Sequence, residues 1–435
     1  MLDFKSKIRY FLLAIIFIVL CSPFLISLFF SQNLFQLKGV VNEPVNITFD
    51  KHEWITAEYQ QKKEEYLNST FGLRNWCVRF NNQIAYSFFN KAKANGVIVG
   101  KENYLYEASY IESYSGKNYV GEDSIRNTVN KLKFISDTLS KLGKQLIIVF
   151  APGKASFYPE YIPDAYLPFK KQTNYSTFSE VSNTMKLNVI DFNKWFIENK
   201  TKSKYPLYPK YGIHWSIYGT VLAADSLVKN ISNLRNITLP KIKITEINMG
   251  KPVDSDYDIA DGMNLLFENS SFDMAYPKIT LDTKNVKTKP KVLVISDSFY
   301  WGLYNLGISN CFQNDHFWYY NKQVFPESGT KELLTDHLNI GDEINKHDVI
   351  VIISTEATLN KIGWGFIERT ELFFREKNAK DEHERMKNVR NFIEKYIKPN
   401  KTWMDAVNNR AKEKKITLDS MLLIEAIWQI EHPNS

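Results

Sequence analysis

Cysteine is scarce: the chain has three in 435 residues, Cys21, Cys77 and Cys311. No two stand in a CxxC pair, and the seven histidines show no zinc spacing, so neither a metal site nor a cofactor is called for. In an oxidising compartment Cys77 and Cys311 could pair, but two buried free thiols fit as well. Internal repeats and low-complexity stretches are missing. So is a block of one charge. The net charge is +7 with 24% charged residues, but the basic residues are scattered and thicken only in the tail. No nucleic-acid surface is read from that pattern. What is present is ordinary globular material. With 44% apolar and 14% aromatic residues, the chain can build one large or two modest domains.

The one long apolar run is at the N-terminus. Tyr10 to Phe30 carries no charge and is dominated by Leu, Ile and Phe. About 20 residues at ~1.5 Å each span a bilayer. Lys5, Lys7 and Arg9 precede the run, whereas Glu43, Asp50 and Glu53 follow it. The positive-inside rule then puts the N-terminus in the cytoplasm and the body outside, in the periplasm, on a single-pass inner-membrane anchor. A cleaved signal peptide is the competing reading, but the run is long for one and no small-x-small site follows. A lipoprotein cysteine at Cys21 fits poorly after Leu20.

The body alternates buried strands with helices. Ser124 to Leu142 carries Ile125, Val129, Leu132, Ile135, Leu139 and Leu142 on one helical stripe, with Asp123 or Ser124 as start caps and Gly143 at the end. Strands are predicted at 145–150, 187–191, 291–295 and 349–353, and a helix at 217–231. Apolar strands between helices predict an α/β parallel sheet with helices on both faces. Sites in such sheets lie beyond the carboxyl ends of strands. Lys154, Ser298 and Thr355-Glu356 all follow strand ends, on one rim. After about Arg375 the chain becomes highly charged and ends in Leu418, Met421, Leu422, Ile424, Ile427 and Trp428 at helical spacing. That pattern reads as a helical appendage packing on the core, or as a partner-docking or substrate-binding surface.

Two segments carry the chemistry. Val292-Leu293-Val294-Ile295-Ser296-Asp297-Ser298-Phe299 reads as a strand that delivers Ser298 to the sheet edge, where a following helix can point N–H groups at an oxyanion. Tyr211-Gly212-Ile213-His214-Trp215 supplies a histidine, the base such a serine needs. Taken alone, an Asp-Ser-Phe is a common turn and a His-Trp a common core pair.

In ordered blocks, residues 70–370 resemble the exported SGNH-hydrolase-like proteins that O-acetylate polysaccharides, of the alginate type. Phe71-Gly72-Leu73-Arg74, Val97–Tyr106 (VIVGKENYLY), Ala151–Glu160 (APGKASFYPE), His214-Trp215 and Ser296–Phe299 are each similar to a family block. The resemblance implies an SGNH-like fold with the histidine before the serine, and a Ser298–His214 O-acyltransferase. It also implies a polysaccharide acceptor and a multi-spanning membrane acyltransferase that supplies acetyl groups. An acetyl-esterase on the same site and a non-catalytic polysaccharide-binding scaffold are the other readings.

Two positions depart from the family. Gly212 stands where the family has an aspartate two residues before the histidine, and Ser296 stands where it has glycine. The first leaves a dyad, a carboxylate recruited from elsewhere (Asp254, Asp256, Asp258, Asp261 or Glu356), or a crippled site. Asp297 and Ser296 are expected to support the serine loop or oxyanion. Lys154, Trp215, Tyr300, Trp301 and Tyr304 are expected as substrate contacts, with solvated or core positions as the plainer alternative. The chain divides into a tip 1–9, an anchor 10–30, a linker 31–69, a catalytic domain 70–374 and a helical appendage 375–435.

Overall fold

The computed structural model describes residues 4–29, 36–39, 45, 47–167, 170–269 and 272–432. Residues 1–3 of the expected tip, Phe30 of the anchor, part of the 31–69 linker and the last three residues of the appendage lie outside them. The N-terminal helix runs Phe4–Phe29. Among the described residues it alone is long and apolar enough to cross a membrane, over Lys5–Ile26 with mean hydropathy 2.3.

Ten strands follow among the described residues: β1 (Val97–Val99), β2 (Leu105–Glu107), β3 (Gln145–Ala151), β4 (Val189–Asp191), β5 (Lys241–Gly250), β6 (Met274–Asp282), β7 (Lys291–Ser296), β8 (Asn314–Tyr319), β9 (Gln323–Phe325) and β10 (Val349–Thr355). Six form the central sheet in the order β4-β3-β10-β7-β8-β9. The first five are mutually parallel and β9 pairs antiparallel to β8. The expected parallel sheet is therefore mixed at one edge, because the three turn residues Tyr320, Asn321 and Lys322 after β8 fold β9 straight back. Two antiparallel ribbons, β1-β2 and β5-β6, lie outside the sheet.

The apolar runs explain the layers. In β3, Ile147 and Val149 face one core while Leu146, Ile148 and Phe150 face the other. β7 and β10 divide in the same way, with Val294 and Val351 on the first face and Ile295 and Ile352 on the second. A strand buried on both faces needs no polar alternation, which is why these read as continuous hydrophobic runs. Each fully buried aliphatic side chain contributes roughly 1.5–3 kcal/mol.

The helix expected over 124–142 spans Glu122–Lys141 and buries Ile125, Val129, Leu132, Ile135 and Leu139, but Leu142, the last member of the expected stripe, is the cap beyond the helix end and is 45% exposed. Its start differs: Gly121 is the cap, and Asp123 sits in the first turn, where it favours the helix dipole instead. Gly143 takes φ +71°, the left-handed turn expected after the helix.

At the other end, a helix runs unbroken over Phe366–Phe392, so the 374/375 boundary falls inside it. Val389, Ile393, Val407, Met421 and Leu422 build a small separate core there. Ile424 and Trp428 of the C-terminal stripe are nearly half exposed, at 46% and 45%. All three thiols are free; Cys77 is exposed and Cys311 buried, so the two do not pair.

Candidate active site

β7, β3 and β10 end side by side, and the site forms on that rim. β7 ends at Ser296, and Ser298 leads into the short helix Phe299–Asn305. Asp297 fixes the turn. Its Oδ1 accepts the Phe299 N–H at 3.1 Å. Its Oδ2 accepts the Thr355 N–H and hydroxyl at 3.0 Å each and the Thr358 hydroxyl at 2.7 Å. This ties the serine turn to the end of β10.

The histidine arrives from a loop held just as firmly. Ser216 caps the helix Ile217–Arg235 by accepting the Gly219 N–H. Trp215 packs edge-on against Phe192 and Phe299, and Tyr208 donates to the Ile213 carbonyl at 2.8 Å. Lys154, wholly buried, donates from Nζ to the carbonyls of Lys210 at 2.9 Å and Gly212 at 2.5 Å. Burial pulls its ammonium down to about 7, against the raising pull of Asp258, Glu107 and Asp256.

The result is a line of three side chains. His214 Nε2 is 2.9 Å from Ser298 Oγ, and Nδ1 is 2.7 Å from Asp258 Oδ2. Asp258 Oδ1 also accepts the Ile213 N–H at 2.9 Å, which orients the carboxylate. With Asp258 taking the Nδ1 proton, Nε2 is left to accept the Ser298 hydroxyl. Burial lowers the His214 pKa, but the hydrogen bond and charge of Asp258 outweigh it, and the net shift is upward from 6.5. The pair stays reachable, with His214 20% and Asp258 30% exposed. It lies where two cavities meet. One is an open cleft of 1290 Å³ reaching Arg74, Lys93 and Glu107. The other is a smaller pocket of 330 Å³ beside Trp301 and Asp254.

Of the five carboxylates offered by the sequence, only Asp258 reaches the histidine. Asp261 instead pairs with Lys38 at 2.6 Å. Asp256 is buried and accepts the Ile217 N–H at 3.2 Å. Glu356 accepts from Ser156 and Asn193 at 2.6 and 2.9 Å. Burial pushes both Asp256 and Glu356 up to about 7. Asp254 lines the smaller pocket.

Three expected substrate contacts are core residues. Lys154, Trp215 and Tyr300 are at most 1% exposed, and the Tyr300 hydroxyl is spent on Asp315 at 2.8 Å. Tyr304 packs against Trp301 and Phe317. Trp301 is half-buried but lines the smaller pocket. Ser296 is fully buried, and its hydroxyl has no partner among the described residues.

Sequence reading missed Tyr320. It lines the larger cleft together with Ser298, and burial pushes its phenol up to about 12. A left-handed φ of +51° and a 2.8 Å hydrogen bond from its backbone N–H to the Ser296 carbonyl fix its backbone beside the serine turn. Two consecutive residues of positive φ after β8, Tyr320 and Asn321, have no strong signal in a Tyr-Asn pair.

Gly212 has a physical reason. A Cβ there would sit 2.1 Å from the Ser255 carbonyl oxygen and 2.9 Å from the Asp256 carbonyl carbon. The backbone of the loop carrying Asp258 fills the space where a side chain would begin. Gly212→Asp should therefore displace that loop and with it Asp258. The expected result is a loss of turnover on the scale of removing the acid, up to about 10⁴-fold, with ~1–3 kcal/mol of overpacking cost. Steady-state kinetics and a melting curve check it. Wild-type turnover in the variant would mean the loop does not set the site.

A serine, histidine and carboxylate in line at the carboxyl edge of a doubly covered α/β sheet define the serine-hydrolase-like class. Residues 97–256 match the family model described as the SGNH hydrolase-like domain of acetyltransferase AlgX. The chain thus carries an SGNH-like domain, as the ordered motifs imply; His214 falls inside the matched segment, and Asp258 and Ser298 beyond it. A probable alginate O-acetylase AlgJ of Pseudomonas putida is 22% identical over 226 residues, 51% of this chain and 57% of that protein. A probable alginate O-acetylase AlgJ of Pseudomonas syringae pv. tomato is 24% identical over 112 residues, 26% of each chain. The chain thus spans 57% of the length of the first of these curated relatives and 26% of the second. Among solved structures, the O-acetyltransferase domain of Pseudomonas putida AlgJ aligns with 63% of this chain and 98% of its own, at TM-score 0.43 and 15% identity. Bacillus cereus PatB1 aligns with 60% and 96%, at 0.38 and 11%.

Proposed function

We propose that this chain is an O-acetyltransferase that moves acetyl groups onto hydroxyls of a cell-surface or exported polysaccharide through an acetyl-Ser298 intermediate. The observation that carries this is the hydrogen-bonded line Ser298–His214–Asp258, at 2.9 and 2.7 Å, opening into a cleft. Its alginate O-acetylase relatives support the choice of acyl group and acceptor.

In the first half-reaction Ser298 Oγ attacks the donor's acetyl carbonyl as His214 Nε2 takes its proton. The Ser298 N–H is one donor for the oxyanion, and the Tyr320 hydroxyl, lining the same cleft, is offered as the second. Collapse expels the donor's oxygen, which leaves with the proton from Nε2. In the second half, Nε2 takes a proton from a sugar hydroxyl. That oxygen attacks the acetyl carbonyl, and Ser298 Oγ leaves and regains the proton. Asp258 holds the imidazole in the required tautomer and stabilises its charged form. The larger cleft has room for a sugar chain, and the smaller pocket beside Trp301 suits the second reactant.

The N-terminal helix acts as an anchor that keeps the body on the outer side of the membrane, where a membrane-bound acyltransferase supplies acetyl groups. Tethering raises the effective concentration of the two proteins for each other. The test uses the full chain, a chromogenic acetyl ester and an oligosaccharide acceptor. Acetylated oligosaccharide should accumulate, and the protein should stay with membranes after a high-salt wash. Release of free acetate alone, undiminished by acceptor, would instead make the protein an esterase.

A further inference from the structure

The second face of the sheet holds a cluster of polar groups that the acetyl-transfer reading does not use. His316 lies on β8 between Asp315 and Phe317, which belong to the first face. Strand alternation turns His316 to the opposite side, with Trp318. The helix Ile340–Lys346 packs there, and it brings Glu343 and His347, four residues apart and so on one side of the helix end. Nitrogen or carboxylate oxygen atoms of His316, Glu343 and His347 lie within 4.8 Å of one another.

The details are those of a ligand set. His347 Nδ1 is 2.7 Å from the Glu343 carbonyl oxygen, to which it donates. That fixes the tautomer, so Nε2 carries the lone pair. His347 is 1% exposed, and Nε2 has no hydrogen-bond partner among the described residues. Glu343 is 3% exposed; its Oε1 takes the Lys346 ammonium at 2.6 Å, while Oε2 is buried without a hydrogen-bond partner. His316 Nδ1 stands 3.9 Å from that Oε2, and its Nε2 is 3.2 Å from Glu327 Oε1. The two imidazole rings are 5.1 Å apart.

Buried polar atoms are nearly always partnered, and two converging on one point call for an explanation. An apolar core explains neither. A metal explains both. Imidazole nitrogens with one carboxylate oxygen suit zinc among divalent ions, and each histidine has the outer hydrogen bond that metal-bound imidazoles use for orientation. Tetrahedral bonds of ~2.0–2.1 Å would draw the three atoms inward. His316 keeps 17% side-chain exposure, which leaves an entry path and a place for water as fourth ligand.

We propose that His316, Glu343 and His347 bind one zinc-class divalent ion, with Glu327 orienting His316. The ion would pin strand β8 to the helix Ile340–Lys346. It lies on the face of the sheet opposite His214 and Trp215, so its role is structural. Sequence spacing gives no signal for such a set, because His316 comes from a strand while Glu343 and His347 lie 27 and 31 positions later, at the end of a helix.

The test uses untagged full-length protein, stripped with chelator and then dialysed against Zn²⁺. Elemental analysis should find one equivalent, competition with a chromogenic chelator should give its affinity, and Zn²⁺ should raise the melting temperature. His347→Gln and Glu343→Gln should lose the bound equivalent, and Glu327→Gln should weaken affinity about 10–100-fold. Co²⁺ in place of Zn²⁺ should give a visible spectrum that changes in Glu343→Gln, a readout available even if a histidine variant fails to fold. Wild-type protein that stays metal-free with an unmoved melting curve would overturn the proposal. So would an equivalent of zinc retained unchanged in both glutamine variants.

Discussion

Asp258→Asn should cut acetyl transfer by about 10⁴-fold while leaving the fold intact. The reason is a proton on the wrong nitrogen. In the native site Oδ1 accepts the Ile213 N–H at 2.9 Å and Oδ2 accepts from His214 Nδ1 at 2.7 Å. An asparagine has only one acceptor oxygen, and the Ile213 N–H, which cannot turn away, claims it. The amide NH₂ then faces Nδ1 and donates to it. The imidazole must carry its proton on Nε2, aimed at Ser298 Oγ, and can no longer accept the serine proton.

The pH profile should move as well. Native His214 must be neutral to act as base, and Asp258 raises its pKa above 6.5 despite burial. Activity should therefore rise with pH along a limb lying above 6.5. In Asp258→Asn the raising partner is gone and the lowering effect of burial remains, so the limb of the residual activity should shift to lower pH. Measuring kcat/KM against pH for both proteins checks both effects. A variant within tenfold of wild type, with an unmoved limb, would mean that Asp258 is not the orienting acid.

The fold's centre was legible because its strands are buried on both faces. Ile147–Val149, Val292–Ile295 and Val349–Ile353 could hardly be anything else, and they are β3, β7 and β10. The edge was not legible. β8 reads Asn-Asp-His-Phe-Trp-Tyr, where polar residues interrupt the run because they serve Tyr300 and the helix Ile340–Lys346 instead of the core. The β5-β6 ribbon alternates at Ile242 and Ile244 and was readable by period two, but its exposure kept the signal weak.

Within the site, Ser298 and His214 stood out because each sits in a short local motif. Asp258 did not, being one of five carboxylates. The choice among them is made by Gly212, which lets the backbone of Ser255 and Asp256 approach, and no local pattern encodes a contact between two loops. Burial decided the substrate contacts. Lys154 and Tyr300 carry polar tips that look available in sequence, yet each spends its tip inside, on the Gly212 carbonyl and on Asp315.

Ser298→Ala should abolish acetyl-enzyme formation and lower turnover by about 10⁴–10⁶-fold. Its stability should stay within about 0.5 kcal/mol of wild type. The two halves of that expectation come from one geometry. Ser298 leads into the helix Phe299–Asn305, yet its hydroxyl caps no helix N–H. The turn is held instead by Asp297, through Thr355, Thr358 and Phe299. The backbone of Ser298, at φ −65° and ψ −12°, is ordinary right-handed geometry that alanine adopts freely. The hydroxyl thus has little structural work, and its one close side-chain partner of known distance is His214 Nε2 at 2.9 Å. Mass analysis after exposure to an acetyl ester should find acetyl on the Ser298 peptide of wild type and none on the variant. Oligosaccharide binding should survive in both, since the cleft walls are untouched. Equal acetylation rates in the two proteins would rule out the serine mechanism, and a melting curve lowered by several degrees would show that the hydroxyl holds the turn after all.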